Sequence, residues 1–232
     1  RVDIHCIEPE AVPAGGTLYM VCDPAGARNW FCMWLLVYED GKRIVVREFP
    51  DYSNYGEWTF PSEKHDGKAG PAQTLDAGRS ISEYRNLFRT IEAELGYGEP
   101  VMRLIDPKAG GSPALSEQGG TTLIDLLAES DDPKDDGMAF IPAPGVPVDQ
   151  RTSAINSLLS YDATQPLTPL NEPSLYITKN CSNLIYALSE HTGRDGQKGA
   201  SKDPIDCIGM LLVSGLAYVG NGGFDCRGGG GY

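Results

Sequence analysis

Three aspartates in this chain stand where a carboxylate can do chemistry. Asp23 ends the apolar run TLYMVC, Asp106 ends VMRLI, and Asp206 lies in the first turn of the apolar helix pattern DPIDCIGMLL. A side chain at a strand end projects over the sheet edge, and Gly209, three residues past Asp206 on roughly the same helical face, leaves room for close approach. Convergent carboxylates suit hard divalent cations, and Mg²⁺ needs only a few of them because it keeps several waters. Two such cations about 4 Å apart can hydrolyse a phosphodiester, activating water and stabilising the leaving oxygen. Asp203 is a lesser fourth candidate. Taken singly, each aspartate has a local explanation too. Asp23 and Asp106 precede proline, a common turn start, while Asp203 and Asp206 suit a helix N-cap and a first-turn acid.

Other chemistries find little footing. The three histidines (His5, His65, His191) form no HExxH-like pair and no triad signature, which argues against a histidine-rich zinc site and against nucleophilic acyl transfer. Six scattered cysteines (Cys6, Cys22, Cys32, Cys181, Cys207, Cys226) contain no CxxC pair and read as reduced thiols of a cytosolic protein. No GxxxxGK[ST] occurs, so Gly110-Gly111 is not an ATP-binding loop. The acidic run Asp131, Asp132, Asp135, Asp136 lacks EF-hand spacing and reads as a solvated loop. Arg194, Lys198 and Lys202, before the last helix, are candidates for phosphate contact, with Lys64 and Lys68 weaker ones. A formal charge of −13, from 32 acidic and 19 basic residues, opposes coating of nucleic acid by long-range attraction. Bound cations or a partner domain would have to offset it.

The elements that must position these groups are legible from period and punctuation. Residues 17–22, 30–38 and 43–49 read as three antiparallel strands, the last two joined by a Glu39-Asp40-Gly41-Lys42 turn. Residues 50–80 read as a long loop. Tyr84, Leu87, Phe88, Ile91 and Leu95 fall at helical spacing, with Ser82 as the cap and Gly96 beyond the end. A strand at 101–105, a helix at 121–129, a strand at 138–141, a helix from about Asp149, an extended segment at 175–177 and two more helices follow. The last begins at Asp203-Pro204, since proline suits the first helical position. The reading is one α/β domain over 1–219 with a flexible Gly-rich tail over 220–232; 232 residues suit one full core. No apolar run is long enough for a bilayer and no signal peptide is visible, so the expectation is a soluble fragment.

In order and wording the chain resembles the C-terminal nuclease domain of the large terminase subunit of tailed bacteriophages. The resembling stretches are YMVCDPAGARNWFCMWLLVYEDGKRIVVREFPD, VMRLIDPKAGG, RTSAINSLLS, LYITKNCSNLIYALSE and KDPIDCIGMLL. The resemblance implies a ribonuclease H-like fold, with a central mixed sheet opening on three antiparallel strands and helices on both faces. It further implies an endonuclease in which Asp23, Asp106 and Asp206, with Asp203 as an added ligand, hold two Mg²⁺ or Mn²⁺ ions. The implied substrate is double-stranded concatemeric viral DNA in the host cytoplasm. The implied partners are the terminase's own ATPase domain, the portal and the small terminase subunit. Two alternatives stay open: another nuclease of the same superfamily, such as a junction resolvase or hybrid nuclease, and a non-catalytic docking module of a packaging motor.

Overall fold

The computed structural model describes residues 1–25, 30–51, 79–111, 120–129, 137–190 and 202–220. The acidic run at 131–136, the basic residues Lys64, Lys68, Arg194 and Lys198, residues 52–78 of the segment read as a long loop over 50–80, and residues 221–232 of the tail lie outside the described residues. In chain order the elements are α1 (Val2–His5), β1 (Cys6–Ile7), β2 (Thr17–Asp23), β3 (Phe31–Val37), β4 (Arg43–Phe49), α2 (Ile81–Leu95), β5 (Met102–Ile105), α3 (Pro107–Gly110), α4 (Leu123–Ala128), β6 (Ile141–Pro142), α5 (Val148–Leu159), β7 (Leu175–Thr178), α6 (Ser182–Glu190) and α7 (Asp203–Val213).

The described strands form one sheet in the order β1-β7-β4-β3-β2-β5-β6. Among them only β3 runs against its neighbours; every other adjacent pair is parallel. The expected trio of antiparallel strands is therefore β2, β3 and β4 at the centre. It does not open the sheet, because the two-residue β1 precedes it and lies beside β7 at the far edge. Two residues carry too little pattern to read as a strand.

Every residue of β3 is buried, which requires cover on both faces. Alternation sorts the side chains. Tyr19, Val21, Phe31, Met33 and Leu35 pack with Ile155, Leu184, Ile208 and Leu211 of α5, α6 and α7. Met20, Cys22, Cys32, Trp34 and Leu36 pack with Tyr84, Phe88, Ile91 and Leu127 of α2 and α4. On the α2 face Trp30 stacks on Tyr84 with ring centroids 3.9 Å apart, and the Trp30 N–H donates to the Tyr84 Oη at 3.0 Å. That pair anchors the chain where it re-enters the sheet opposite Asp23.

Two boundaries differ from the sequence expectation. Ser80, not Ser82, caps α2: its Oγ accepts from the Glu83 N–H while Glu83 Oε2 accepts from the Ser80 N–H, a reciprocal capping box. Both serines fit the local pattern, and only Ser80 has an acid three residues on. The strand expected at 138–141 is β6, Ile141–Pro142; Met138 and Phe140 are buried but lie outside the ladder. Replacing Ser80 with alanine is expected to cost about 1 kcal/mol and to lower the melting temperature by about 2–4 °C, measured by calorimetry; an unchanged melting point would remove the cap from the account.

Candidate active site at the carboxyl end of the sheet

Asp23 is the last residue of β2, paired with Phe31 of β3. Asp106 follows β5, and its N–H donates to the Cys22 carbonyl at 3.0 Å. The parallel register of β2 and β5 ends with Cys22 opposite Ile105, so Asp23 and Asp106 sit one step further on, side by side. Neighbouring strands lie about 4.8 Å apart. Strand alternation places both on the face of Val21 and Leu104, the one that α7 covers.

The turn role suggested by Asp106-Pro107 is present. Asp106 Oδ1 accepts from the N–H groups of Lys108 at 2.9 Å and Ala109 at 3.0 Å, capping the one-turn α3. The cap fixes the carboxyl at the strand end, so the turn role and a ligand role are compatible.

Helix α7 packs across β2 and β3, antiparallel to β2. Near its start the Cys207 thiol donates to the Phe31 carbonyl at 3.7 Å; past its end the Tyr19 hydroxyl donates to the Ala217 carbonyl at 2.6 Å. These contacts put the first turn, with Asp203 and Asp206, at the Asp23 end of the sheet. Electrostatics agree. Burial pushes the Cys207 thiol well above its ordinary range, and the charges of Asp23, Asp203 and Asp206 raise it further. On the other face Cys22, raised first by burial, feels both Asp23 and Asp106.

Asp206 sits among charges of both signs. Burial raises its carboxyl pKa and the Asp203 charge adds to that, while Lys202 and Arg151 pull it down. Lys202 Nζ stands 3.5 Å away across one helical turn and Arg151 Nη1, from α5, 3.6 Å away. The sequence places Lys202 in the loop before the last helix; in the structure it occupies the N-cap position of α7, with its ammonium facing Asp206.

Among the described residues no three His, Cys, Asp or Glu side chains form a ready-made metal-binding group. The four aspartates are thus gathered at one end of the sheet without being closed into a cage. Their chemistry still fits a hard cation: the donors are all carboxylate oxygens, and two cationic side chains already stand at Asp206, where positive charge is called for.

Two largely buried charged groups near this layer escape a reading by pattern. Arg151 lies on α5, a helix legible only by its apolar stripe, and its nearness to Asp206 is purely tertiary. The signal available was Gly209: a Cβ there would come within 2.9 Å of the Arg151 Cβ, so the glycine makes room for that arginine. Glu48, 1 % exposed, is the other, accepting from the N–H groups of Asn183 at 2.7 Å and Leu184 at 3.0 Å at the start of α6.

No family model matches the chain, and no curated protein matches it. Solved structures do. The large terminase of a thermophilic bacteriophage superposes with a TM-score of 0.53 at 16% identity, covering 91% of this chain and 43% of that one. The same protein in complex with ATP-γ-S gives a TM-score of 0.55 at 15% identity, covering 92% and 43%. The chain therefore spans less than half the length of the terminase it matches. At such identities the likeness is one of fold, and with the mixed sheet and its two helical layers it gives a ribonuclease H-like α/β fold. Among the described residues no helix is long and apolar enough to cross a membrane.

Proposed function

We propose that this chain is a divalent-metal-dependent endonuclease that hydrolyses DNA phosphodiester bonds, acting as the nuclease part of a phage large terminase. The observation that carries the reading is the placement of Asp23 and Asp106 on adjacent parallel strands with Asp203 and Asp206 of α7 facing the same end. Likeness in fold to a bacteriophage large terminase supports it.

In this reading Asp23, central in the set, with Asp106 and Asp206 on either side and Asp203 as a further ligand, holds two Mg²⁺ or Mn²⁺ ions. Such ions supply Lewis-acid stabilisation of phosphoryl oxygens and ease the deprotonation of water. The chain's own residues do the positioning. Strand pairing fixes the Asp23 backbone, the α3 cap fixes the Asp106 carboxyl, and the packing of α7 on β2 and β3 sets the height of Asp206. Carboxylates held by rigid elements cost no reorganisation when the charge of the transition state develops.

The substrate is double-stranded viral DNA, cut from concatemers at packaging in the host cytoplasm. The ATPase domain of the same terminase, the portal and the small subunit are the partners, and they supply the DNA grip that an acidic chain lacks. The test is incubation of the chain with supercoiled plasmid in Mg²⁺, in Mn²⁺ and in EDTA. Nicked and linear products with either cation and none in EDTA are expected; intact plasmid in all three would sink the proposal. A panel of four-way junctions and RNA–DNA hybrids decides whether plain duplex is the preferred substrate.

A further inference from the structure

Resting on the nuclease reading, we infer that Arg151 is a phosphodiester-binding residue of the site, delivered from α5 to grip the DNA backbone beside Asp206. The side chain is only 15% exposed, and its buried Nε has no hydrogen-bond partner among the described residues. The Asp206 carboxylate oxygen that faces it is 3.6 Å from Nη1, beyond hydrogen-bonding distance. A buried arginine normally has its donors satisfied, by backbone carbonyls or by a bidentate carboxylate. Here the fork is held in place and left under-used.

The holding is built in. Gly209 on α7 lets the Arg151 stem lie against the helix, where an alanine Cβ would meet its Cβ at 2.9 Å and its Cδ at 3.2 Å. The guanidinium therefore reaches the α7 end that carries Asp206 by a route the backbone keeps open. A planar fork of donors with an unused Nε–H, beside carboxylates proposed to hold cations, suits an oxyanion with two oxygens to offer. The phosphodiester is the oxyanion this site would receive. Without DNA the positive charge of Arg151 lowers the cost of a half-buried Asp206. Cations held by the aspartates would relieve Arg151 of that task and leave its fork for phosphate.

Arg151→Ala and Arg151→Lys test this on the whole chain, using a fluorescent duplex of about 30 base pairs, plasmid cleavage in Mn²⁺, and Mn²⁺ calorimetry without DNA. Arg151→Ala is expected to raise KM for DNA about 10- to 100-fold with a smaller change in kcat, and to flatten the slope of log affinity against log salt by about 0.9, the signature of one lost phosphate contact. Arg151→Lys keeps the charge but not the fork, so it should restore the slope while recovering only part of the affinity. If Arg151→Ala leaves KM and the salt slope at wild-type values while tightening Mn²⁺ binding, the arginine is only a counterion to Asp206 and the inference is overturned. A wild-type chain that cuts normally beside such a variant keeps the nuclease reading intact; one that neither binds nor cuts DNA overturns both.

Discussion

Replacing Asp23 with asparagine is expected to lower Mn²⁺- or Mg²⁺-dependent DNA cleavage by about 10³-fold while leaving the fold intact. The size follows from what a shared metal ligand does. Metal ions contribute several kcal/mol of charge stabilisation in the transition state, and each ~1.36 kcal/mol is a factor of ten in rate. The fold is spared because the backbone pairing of residue 23 with Phe31 is untouched, and asparagine keeps the side chain's shape and an oxygen that accepts hydrogen bonds. A second consequence separates this from mere damage. Asp23, Asp203 and Asp206 all raise the Cys207 thiol, so their charges crowd one small region. Removing one should hold or raise the melting temperature in EDTA, yet cancel most of the rise that Mn²⁺ gives the wild type, since a ligand stabilises only through its binding to the native state. Undiminished cutting by the folded variant would refute the assignment of Asp23.

Much of this arrangement is readable in the sequence because the relevant signals are local. The runs TLYMVC and VMRLI, each followed by Asp-Pro, mark β2 and β5 and the aspartates at their ends, and Asp203-Pro204 marks the start of α7. Parallel pairing of β2 with β5 is not local, and it is what turns two turn-forming residues into neighbours. Arg151 and Glu48 show where pattern stops. Nothing in QRTSAIN points α5 towards Asp206. For Glu48 strict alternation misleads: counted from Ile44 and Val46, it belongs on the α2 face. The β3–β4 register shifts between Leu35–Val45 and Trp34–Arg47, so Val46 is an extra residue and Glu48, opposite Met33, turns to the α6 and α7 face. A one-residue bulge reverses which layer an acid enters, and no composition rule foresees it.

That reversal has a cost that rises with pH. Glu48 sits inside the layer between β4 and α6, where burial pushes its carboxyl from 4.5 up to about 8; the charge of Asp51 adds to the rise, and the Asn183 and Leu184 N–H groups offset part of it. The unfolded chain, with its carboxyl near 4.5, gives up the proton first as pH rises, so the native state binds protons more tightly through the interval between the two values. The stabilisation linked to Glu48 is therefore complete below about pH 4.5 and is lost progressively up to about pH 8, a change on the order of 5 kcal/mol. Glu48→Gln has no proton to lose and can still accept a hydrogen bond from the start of α6 through its amide oxygen. Urea unfolding at about pH 5.5 and about pH 8.5 should show the wild type falling by several kcal/mol relative to this variant, whatever the other titrating groups contribute to both. Parallel curves would mean that the two amides of α6 hold Glu48 ionised throughout, and that its carboxylate serves as a permanent cap for that helix.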